Sequence, residues 1–312
     1  MPTHHPTNSD APTPPPLGEH VTVDGHHLSV HKSGTGTPSV VFLPGAGLTG
    51  LDFLDVHQQI ATSTTSVVYD RAGTGWSSDV PLPRTPDQVT DELRALLHAA
   101  DVPAPYLLVG HSLGAFYARR YAQRFGDEVA ALLLLDPGHE DILDFMPPEA
   151  AGLNEKLKLD PATLPDLTAE QIDAARTQYR ALYGTWPEPV REALIDHNLA
   201  AWRTQFHETD NFEGAVYDQL RAGGDLPDIP LIVLTAKGRN HYWAQVLTEE
   251  QMRQAHDGVN AMHAALVASV PHGEHRELEG ASHQYLHIEQ RDAVVEAIGD
   301  LIVKVRGRRS AS

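Results

Sequence analysis

The stretch YLLVGHSLG at residues 106–114 decides the fold of this 312-residue chain. It opens with a continuous apolar run, which is typical of a strand covered on both faces. It leads into residues that share one helical face, namely Leu113, Phe116, Tyr117, Tyr121 and Phe125. We therefore predict a buried strand that turns sharply into a helix, with Ser112 at the turn.

Three residues of this turn, Gly110, Ser112 and Gly114, form a G-x-S-x-G pattern. In a strand–turn–helix context the pattern holds its serine at the apex of the turn, exposed as a nucleophile. The flanking glycines let the strand and the helix pack closely without clashes between Cβ atoms. The N-terminus of the helix adds free N–H groups and the positive end of its dipole. The pattern therefore predicts nucleophilic catalysis by Ser112.

A serine nucleophile needs a general base, which must come from elsewhere in the chain. His283 is the candidate because it lies in the polar loop Gly280–Gln284, directly before the last predicted helix. His287, one helical turn later, is its nearest rival.

Further apolar runs predict the rest of the fold. Strands covered on both faces are indicated by four more runs, at residues 40–43, 67–69, 132–135 and 231–234. Helical patterns lie between these runs, so strands and helices alternate along the chain. We predict an α/β fold in which helices flank a mostly parallel sheet. Alternating residues around Asp24-Gly25 predict a β-hairpin ahead of it.

One interval breaks the alternation and predicts the domain organisation. Residues 139–228 show only helical patterns and form an all-helical insertion, between core segments 19–138 and 229–312. Residues 1–18 are rich in proline and are expected to be a disordered leader. Aromatic and apolar residues of the insertion could line a substrate pocket, the candidates being Phe145, Met146 and Trp202. Such residues also serve to fix an insertion to its core, and the sequence leaves both roles open.

Composition excludes several classes of protein. The chain has 23 Lys and Arg against 42 Asp and Glu, a net charge of −19, and no cysteine. The acidic balance argues against nucleic-acid partners, and the absence of cysteine excludes disulfides and zinc–thiolate sites. No apolar stretch is long enough to span a membrane. The absence of a signal-peptide pattern gives a cytoplasmic location as the default expectation.

Neither a metal nor a cofactor is predicted, and the substrate is expected to be a small molecule. His272 and His275 could pair on a metal, but no further ligand cluster supports them. Lys237 and Arg239 would suit an anionic substrate, although solvated loop charges are the simpler interpretation.

On these residues the chain resembles the α/β-hydrolase superfamily, in its serine esterase and lipase-like form, from about residue 19 to 305. The order Ser–acid–His fits, and residues 68–77 resemble the family's loop after the fourth strand, where Asp70 and Arg71 are expected to be structural. The helical insertion resembles the family's cap. The resemblance implies cofactor-independent hydrolysis of a carboxylic ester, lactone or thioester of small to medium, apolar character through an acyl-enzyme on Ser112.

The resemblance also suggests where the triad acid lies. Many members place it after the seventh strand, but Thr235–Asn240 contains no carboxylate. Others place it after the sixth strand, where this chain has Asp136, so Asp136 is the candidate. Glu140 and Asp141 are the alternatives, and Asp136 could instead cap a turn.

The oxyanion hole implied by the resemblance uses two backbone N–H groups. One belongs to Leu113, the residue after the nucleophile, and the other to Ala46, in the loop after the third strand.

Two other functions compete with this interpretation. Gly45, Gly47 and Gly50 spell G-x-G-x-x-G after a strand, and Asp70 follows 20 residues later, as in NAD-binding oxidoreductases. Alternatively, the fold could serve as a small-molecule receptor with little turnover. The sequence does not predict an oligomeric state.

Overall fold

The computed structural model of the chain describes residues 13–147, 160, 163–238 and 247–311. Most of the predicted leader lies outside these residues. Among the described residues, none of the helices combines the length and apolar character needed to cross a lipid bilayer.

An eight-stranded sheet forms the centre of the molecule, in the order β1-β2-β4-β3-β5-β6-β7-β8. Pairs β1–β2 and β2–β4 are antiparallel, and all other neighbours are parallel. The α/β prediction with a mostly parallel sheet is therefore confirmed. The strands are β1 (Glu19–Val23), β2 (His26–Ser33), β3 (Ser39–Leu43), β4 (Ser66–Tyr69), β5 (Tyr106–His111), β6 (Val129–Leu135), β7 (Leu231–Ala236) and β8 (Gly273–Leu278).

The predicted hairpin joins β1 to β2. Val23 pairs with His26, so the turn consists of Asp24 and Gly25 alone. Both have a positive φ, 49° and 85°. A two-residue turn of this kind matches the twist of the strands, which is why Asp-Gly favours it.

Helices cover both faces of the sheet. Helices α1 (Leu54–Ile60) and α11 (Arg291–Ala311) pack on one face. Helices α2 (Pro86–Ala99), α3 (Leu113–Arg124) and α9 (Glu249–Ala268) pack on the other. The short helix α10 (Leu286–Glu289) precedes α11.

The sequences Thr85-Pro-Asp-Gln88 and Thr168-Ala-Glu-Gln171 are typical of capping boxes, and each starts a helix in the structure. Thr85 Oγ1 accepts from the Gln88 N–H at 3.3 Å, and Gln88 Oε1 accepts from the Thr85 N–H at 2.9 Å. These reciprocal bonds satisfy two N–H groups that a helix N-terminus otherwise leaves unpaired. Thr168 and Gln171 repeat the arrangement.

The edge strand β8 has no counterpart among the predicted strands. Its sequence, GEHREL, is mostly polar, and its residues are half-buried or exposed. It pairs with β7 on one side only. An edge strand of this kind lacks the apolar run by which the buried strands were recognised.

Only helices lie between β6 and β7 in the described part of the insertion. They are α4 (Ile142–Phe145), α5 (Ala169–Leu182), α6 (Glu188–Ala200), α7 (Thr204–Thr209), a π-helical turn (Phe212–Val216) and α8 (Tyr217–Ala222). The apolar spacing predicts one helix that holds Val190, Leu194, Leu199, Trp202 and Phe206, but the structure divides it at residues 201–203. The next segment is also divided, because Gly214 has non-helical angles.

An apolar cluster fixes the insertion to the core. Leu51 and Leu54 of the core pack against Tyr183 and Trp186, which lie between α5 and α6, and against residues of α6. Trp186 Nε1 also donates a 2.9 Å hydrogen bond to the Leu51 carbonyl. Tyr183 and Trp186 therefore attach the insertion to the core and are not pocket residues.

A buried carboxyl group lies beside this cluster. Asp52 is almost inaccessible to solvent, accepts a 2.6 Å bond from the Tyr183 hydroxyl, and accepts further bonds from the N–H and hydroxyl of Thr49. Burial raises the pKa of Asp52 to about 6, and these hydrogen bonds offset only part of that rise. Ionised Asp52 therefore weakens the native state.

This pKa predicts a pH-dependent stability. A carboxyl whose pKa is higher in the folded chain destabilises the fold as pH rises from about 4 through 6, by about 3 kcal/mol in total. We expect Asp52→Asn to remove this decline, because an amide can still accept from Thr49 and donate to Tyr183. Urea unfolding of both proteins between pH 4 and 7.5 measures the difference, with exposed Asp127→Asn as the matched control. A wild-type-minus-variant difference that does not change with pH would contradict the prediction.

Candidate active site

The candidate site lies where the parallel strands end. The carboxyl ends of β3, β5, β6 and β7 meet at one edge of the sheet, which is where α/β sheets bind ligands. The loop Pro44–Gly47 follows β3, Ser112 follows β5, and Asp136 follows β6. Residues distant in sequence therefore meet at this edge.

Ser112 sits in a strained turn between β5 and α3. Its φ of 48° and ψ of −114° lie in a region that non-glycine residues rarely adopt. Its N–H donates to the Leu135 carbonyl at 3.1 Å, which ties the turn to β6. A Cβ on Gly110 would lie 2.6 Å from the Gly114 carbonyl oxygen, and one on Gly114 would overlap the backbone of Leu43. The turn thus requires both glycines.

A chain of two hydrogen bonds joins Ser112 to His283 and Asp136. His283 Nε2 lies 3.0 Å from Ser112 Oγ, and His283 Nδ1 lies 2.5 Å from Asp136 Oδ2. A carboxylate only accepts, so Nδ1 carries the proton and Nε2 offers its lone pair to the serine. This is the geometry of an activated serine nucleophile.

Asp136 is held in place by the neighbouring strand. Its Oδ1 accepts from the Ala236 N–H at 3.1 Å, and its own N–H donates to the Leu234 carbonyl at 2.7 Å. Burial raises the pKa of this carboxyl, but the hydrogen bond and charge of His283, together with His263 and the Ala236 N–H, outweigh burial, so the net pKa is lowered. Asp136 is therefore ionised where His283 needs a negative partner.

His111 anchors the loop that carries His283. Its Nε2 donates to the His283 carbonyl at 2.7 Å. Burial lowers the pKa of His111 to about 3, so the ring stays neutral and adds no charge beside His283. The sequence pattern indicates no role for His111. The only available signal was its position before the nucleophile, because nothing in the pattern reveals a bond across 172 residues.

A second network supports the backbone after Asp136. His263 Nε2 donates to the Pro137 carbonyl at 2.8 Å, so its Nδ1 accepts from Thr235 Oγ1 at 2.6 Å. His275 Nε2 in turn lies 2.6 Å from the same hydroxyl. The His275 side chain therefore takes part in this hydrogen-bond network. Among the described residues, no group of three or more His, Cys, Asp or Glu side chains could hold a metal.

A cavity of about 390 Å³ opens over Ser112, His283 and Asp136. Ala46 also borders it, and Leu113 begins α3 directly behind the serine. Most of its wall is apolar, and Gln205, His256 and Gln284 provide polar groups. The apolar lining consists of Leu48, Phe116, Ile142, Phe212, Tyr217, Val259 and Met262.

The sequence matches the profile of the alpha/beta hydrolase family over residues 40–297. The chain belongs to the alpha/beta hydrolase family. Membership supports hydrolase activity and explains the strand–turn–helix placement of Ser112.

Individual relatives of this alpha/beta hydrolase share only part of its length. The uncharacterised Bacillus subtilis protein YqjL is 35% identical over 125 residues, which are 40% of this chain and 49% of YqjL. The pimeloyl-[acyl-carrier protein] methyl ester esterase of Chromobacterium violaceum is 38% identical over 109 residues, 35% of this chain and 40% of the esterase. The chain thus spans half or less of these relatives. Among solved structures, a thermophilic esterase from Thermogutta terrifontis superposes with a TM-score of 0.60 and 20% sequence identity. The match covers 92% of this chain and 98% of the esterase chain, and it shows a shared fold.

The other candidate acids and bases of this hydrolase are engaged elsewhere. Glu140 is buried and accepts two 2.7 Å bonds from Arg119. Asp141 accepts from Arg221 at 3.0 Å. His287 is buried, with its ring stacked on Phe53 at 4.2 Å. Of the sequence-predicted acids and bases, the structure brings Asp136 and His283 to Ser112.

The pocket residues predicted in the insertion lie outside the cavity lining. Phe145 ends α4, and Met146 packs against the cluster of Leu247, Met252 and Ala255. The Trp202 ring packs edge-on against Phe206 at 6.2 Å. The apolar lining comes instead from residues that the sequence did not predict to line a pocket.

The dinucleotide alternative does not fit the position of Asp70. Its carboxylate is buried and accepts from the N–H groups of Gly50 at 2.8 Å and Trp76 at 3.0 Å. A ribose-binding acid needs free oxygens facing a ligand.

The two cations considered for an anionic substrate are Lys237 and Arg239. Lys237 lies 3.3 Å from Glu277 in an ion pair, and Arg239 lies outside the described residues.

The lack of space at Gly114 predicts a specific loss of stability. We expect Gly114→Ala to destabilise the hydrolase by about 1–3 kcal/mol, because its methyl group meets the backbone of Leu43 and Pro44, which cannot yield as a side chain would. Gly299→Ala is the matched control, since Gly299 lies in α11 with open space around it and should gain up to about 1 kcal/mol. Urea unfolding measures both, and equal stability of the two variants would contradict the prediction.

Proposed function

We propose that this alpha/beta hydrolase is a serine hydrolase that cleaves a carboxylic ester through an acyl-enzyme on Ser112. The observation that carries the proposal is the hydrogen-bonded chain from Ser112 Oγ through His283 to Asp136 Oδ2. The elbow conformation of Ser112 and the cavity above it support the same function.

In the first half-reaction Ser112 Oγ attacks the ester carbonyl carbon while His283 Nε2 accepts its proton. Asp136 stabilises the resulting imidazolium and keeps the ring in one orientation. The developing oxyanion accepts hydrogen bonds from the N–H groups of Ala46 and Leu113. The C–O bond to the alcohol then breaks, and the leaving alkoxide takes the proton from His283.

In the second half-reaction water replaces the alcohol. His283 Nε2 accepts a proton from water, and the hydroxide attacks the acyl carbonyl carbon. The bond to Ser112 Oγ breaks, and the proton returns to the serine. The products are a carboxylic acid and an alcohol, and Ser112 is regenerated.

The cavity supports a small to medium substrate with an apolar acyl group. Its volume of about 390 Å³ lies at the lower end of the range for small-molecule sites. Its apolar lining favours an aliphatic or aromatic group, and two of the similar proteins named above are esterases. Lactones and thioesters present the same acyl carbonyl. Parallel assays with an ester, a lactone and a thioester of matched acyl group rank the three substrate classes by kcat/KM.

Replacement of the triad residues tests the proposal. We expect Ser112→Ala and Asp136→Asn to lower kcat/KM for p-nitrophenyl butyrate by about 10³–10⁴-fold, because each removes a part that acts together with the others. Asp141→Asn is the matched control, since Asp141 lies five residues on and pairs with Arg221. We expect it to retain activity within about threefold.

A covalent probe gives a second readout. A fluorophosphonate should label wild-type Ser112 and fail to label Ser112→Ala, as intact-mass measurement would show. A wild type that neither hydrolyses the ester, lactone and thioester nor reacts with the probe would overturn the proposal. Ligand binding without turnover would favour a receptor.

The cavity wall predicts acyl-chain selectivity. Val259 lines the pocket on the α9 side. We expect Val259→Phe to shift the preferred p-nitrophenyl ester toward shorter chains, because the larger ring fills part of the cavity. Rates with acetyl, butyryl, hexanoyl and octanoyl esters measure the shift, and Val303→Phe on the exposed face of α11 is the control. An unchanged chain-length profile for Val259→Phe would show that the acyl group binds elsewhere.

A further inference from the structure

A buried ion pair lies beneath the loop that carries Ala46. Arg71 follows β4 in the core, and Glu208 belongs to α7 of the insertion, 137 residues away. Their side chains are only 2% and 3% exposed and meet at 2.8 Å. Burial lowers the pKa of Arg71, but the charge and hydrogen bond of Glu208 together with the nearby Tyr117 and Tyr69 outweigh burial, so the net pKa is raised and the guanidinium stays charged.

Arg71 fixes two peptide groups of the Ala46 loop. Its Nη1 donates to the Pro44 carbonyl at 2.7 Å and its Nη2 to the Gly45 carbonyl at 3.0 Å. In a planar trans peptide the N–H points opposite to the C=O. Because the Gly45 carbonyl faces Arg71, the Ala46 N–H faces away from Arg71. Ala46 borders the cavity over Ser112, so this direction suits an oxyanion donor.

Glu208 fixes the next peptide group. Its Oε1 accepts from Arg71, and its Oε2 accepts from the Gly47 N–H at 2.8 Å. The same ion pair therefore holds the peptide on each side of Ala46.

Helix α7 also packs directly on this loop. Gly47 has a φ of 71°, and a Cβ there would lie 2.8 Å from the Cβ of Gln205, one turn before Glu208. The insertion therefore contacts the loop in two ways, by close packing of Gln205 on Gly47 and by the hydrogen bond from the Gly47 N–H to the charged Glu208.

We propose that Glu208 and Arg71 are positioning residues that orient the Ala46 N–H for catalysis, so that the oxyanion hole is complete only when the insertion is docked on the core. The proposal rests on the proposed function for its catalytic consequence. It assigns the insertion a part in catalysis beyond covering the cavity.

A positioning role predicts an effect on kcat rather than on KM. The oxyanion exists only in the transition state, so a misdirected N–H raises the barrier and leaves substrate binding nearly unchanged. We expect Glu208→Gln to lower kcat for p-nitrophenyl butyrate by about 10–100-fold with KM within threefold. Tyr183→Phe is the control, because it removes a contact between insertion and core at Asp52 without touching the Ala46 loop.

A double variant separates positioning from stability. Glu208→Gln alone leaves the Arg71 charge buried without a counter-charge, which destabilises the fold. Combining it with Arg71→Met removes that charge and should restore much of the lost Tm. Under the proposal kcat stays low in the double variant, because the Pro44 and Gly45 carbonyls no longer accept from Arg71. Recovery of kcat together with Tm would assign the pair a structural role only and overturn the proposal.

Amide hydrogen exchange supplies a readout that needs no turnover. We expect peptides covering residues 44–48 to exchange faster in Glu208→Gln than in wild type, while peptides covering α6 stay unchanged. Unchanged exchange at residues 44–48, or a rise in KM at constant kcat, would overturn the proposal. If wild type is inert toward esters and the fluorophosphonate, the proposed function fails, and the exchange rates alone decide whether Glu208 holds the loop.

Discussion

The close approach of α3 to the ends of β3 and β5 is the contact on which the rest of the site depends. It exists because Gly110 and Gly114 carry no side chain where backbone atoms meet. The approach forces Ser112 into a left-handed turn and brings its N–H to the end of β6. Because Asp136 follows β6 directly, the geometry of one turn also sets the distance between Ser112 and the Asp136 carboxylate.

Buried polar contacts connect the insertion to the core at three separate places. Asp52 and Tyr183 meet beside the apolar cluster, Arg71 and Glu208 meet beneath the Ala46 loop, and Arg119 of α3 meets Glu140. Buried charges lose hydration and stabilise a fold only when their partners are in place. The orientation of the insertion is therefore specified by hydrogen-bond geometry as well as by apolar packing.

Local sequence signals predicted the elements but not all the contacts among them. The buried strands, the capping boxes and the Asp24-Gly25 turn each have a short-range signature, and the structure contains them. The strand β8 was missed because an edge strand can be polar, and the break after Ala200 was missed because apolar spacing continues across it. The bonds from His111 to His283 and from Arg71 to Glu208 join residues more than 130 positions apart. No local pattern encodes such pairs.

The position of Asp136 directly after β6 has a consequence for how this hydrolase can diversify. Strand β7 contributes to the carboxylate only the main-chain N–H of Ala236, which almost any residue would supply. Helix α9 is thus not required to supply a carboxylate of the proposed triad, and its Val259 and Met262 line the cavity. Substitutions at these two positions can alter which substrates are admitted while Ser112, His283 and Asp136 stay in place, so this face of α9 is a natural place for selection, or an engineer, to change specificity.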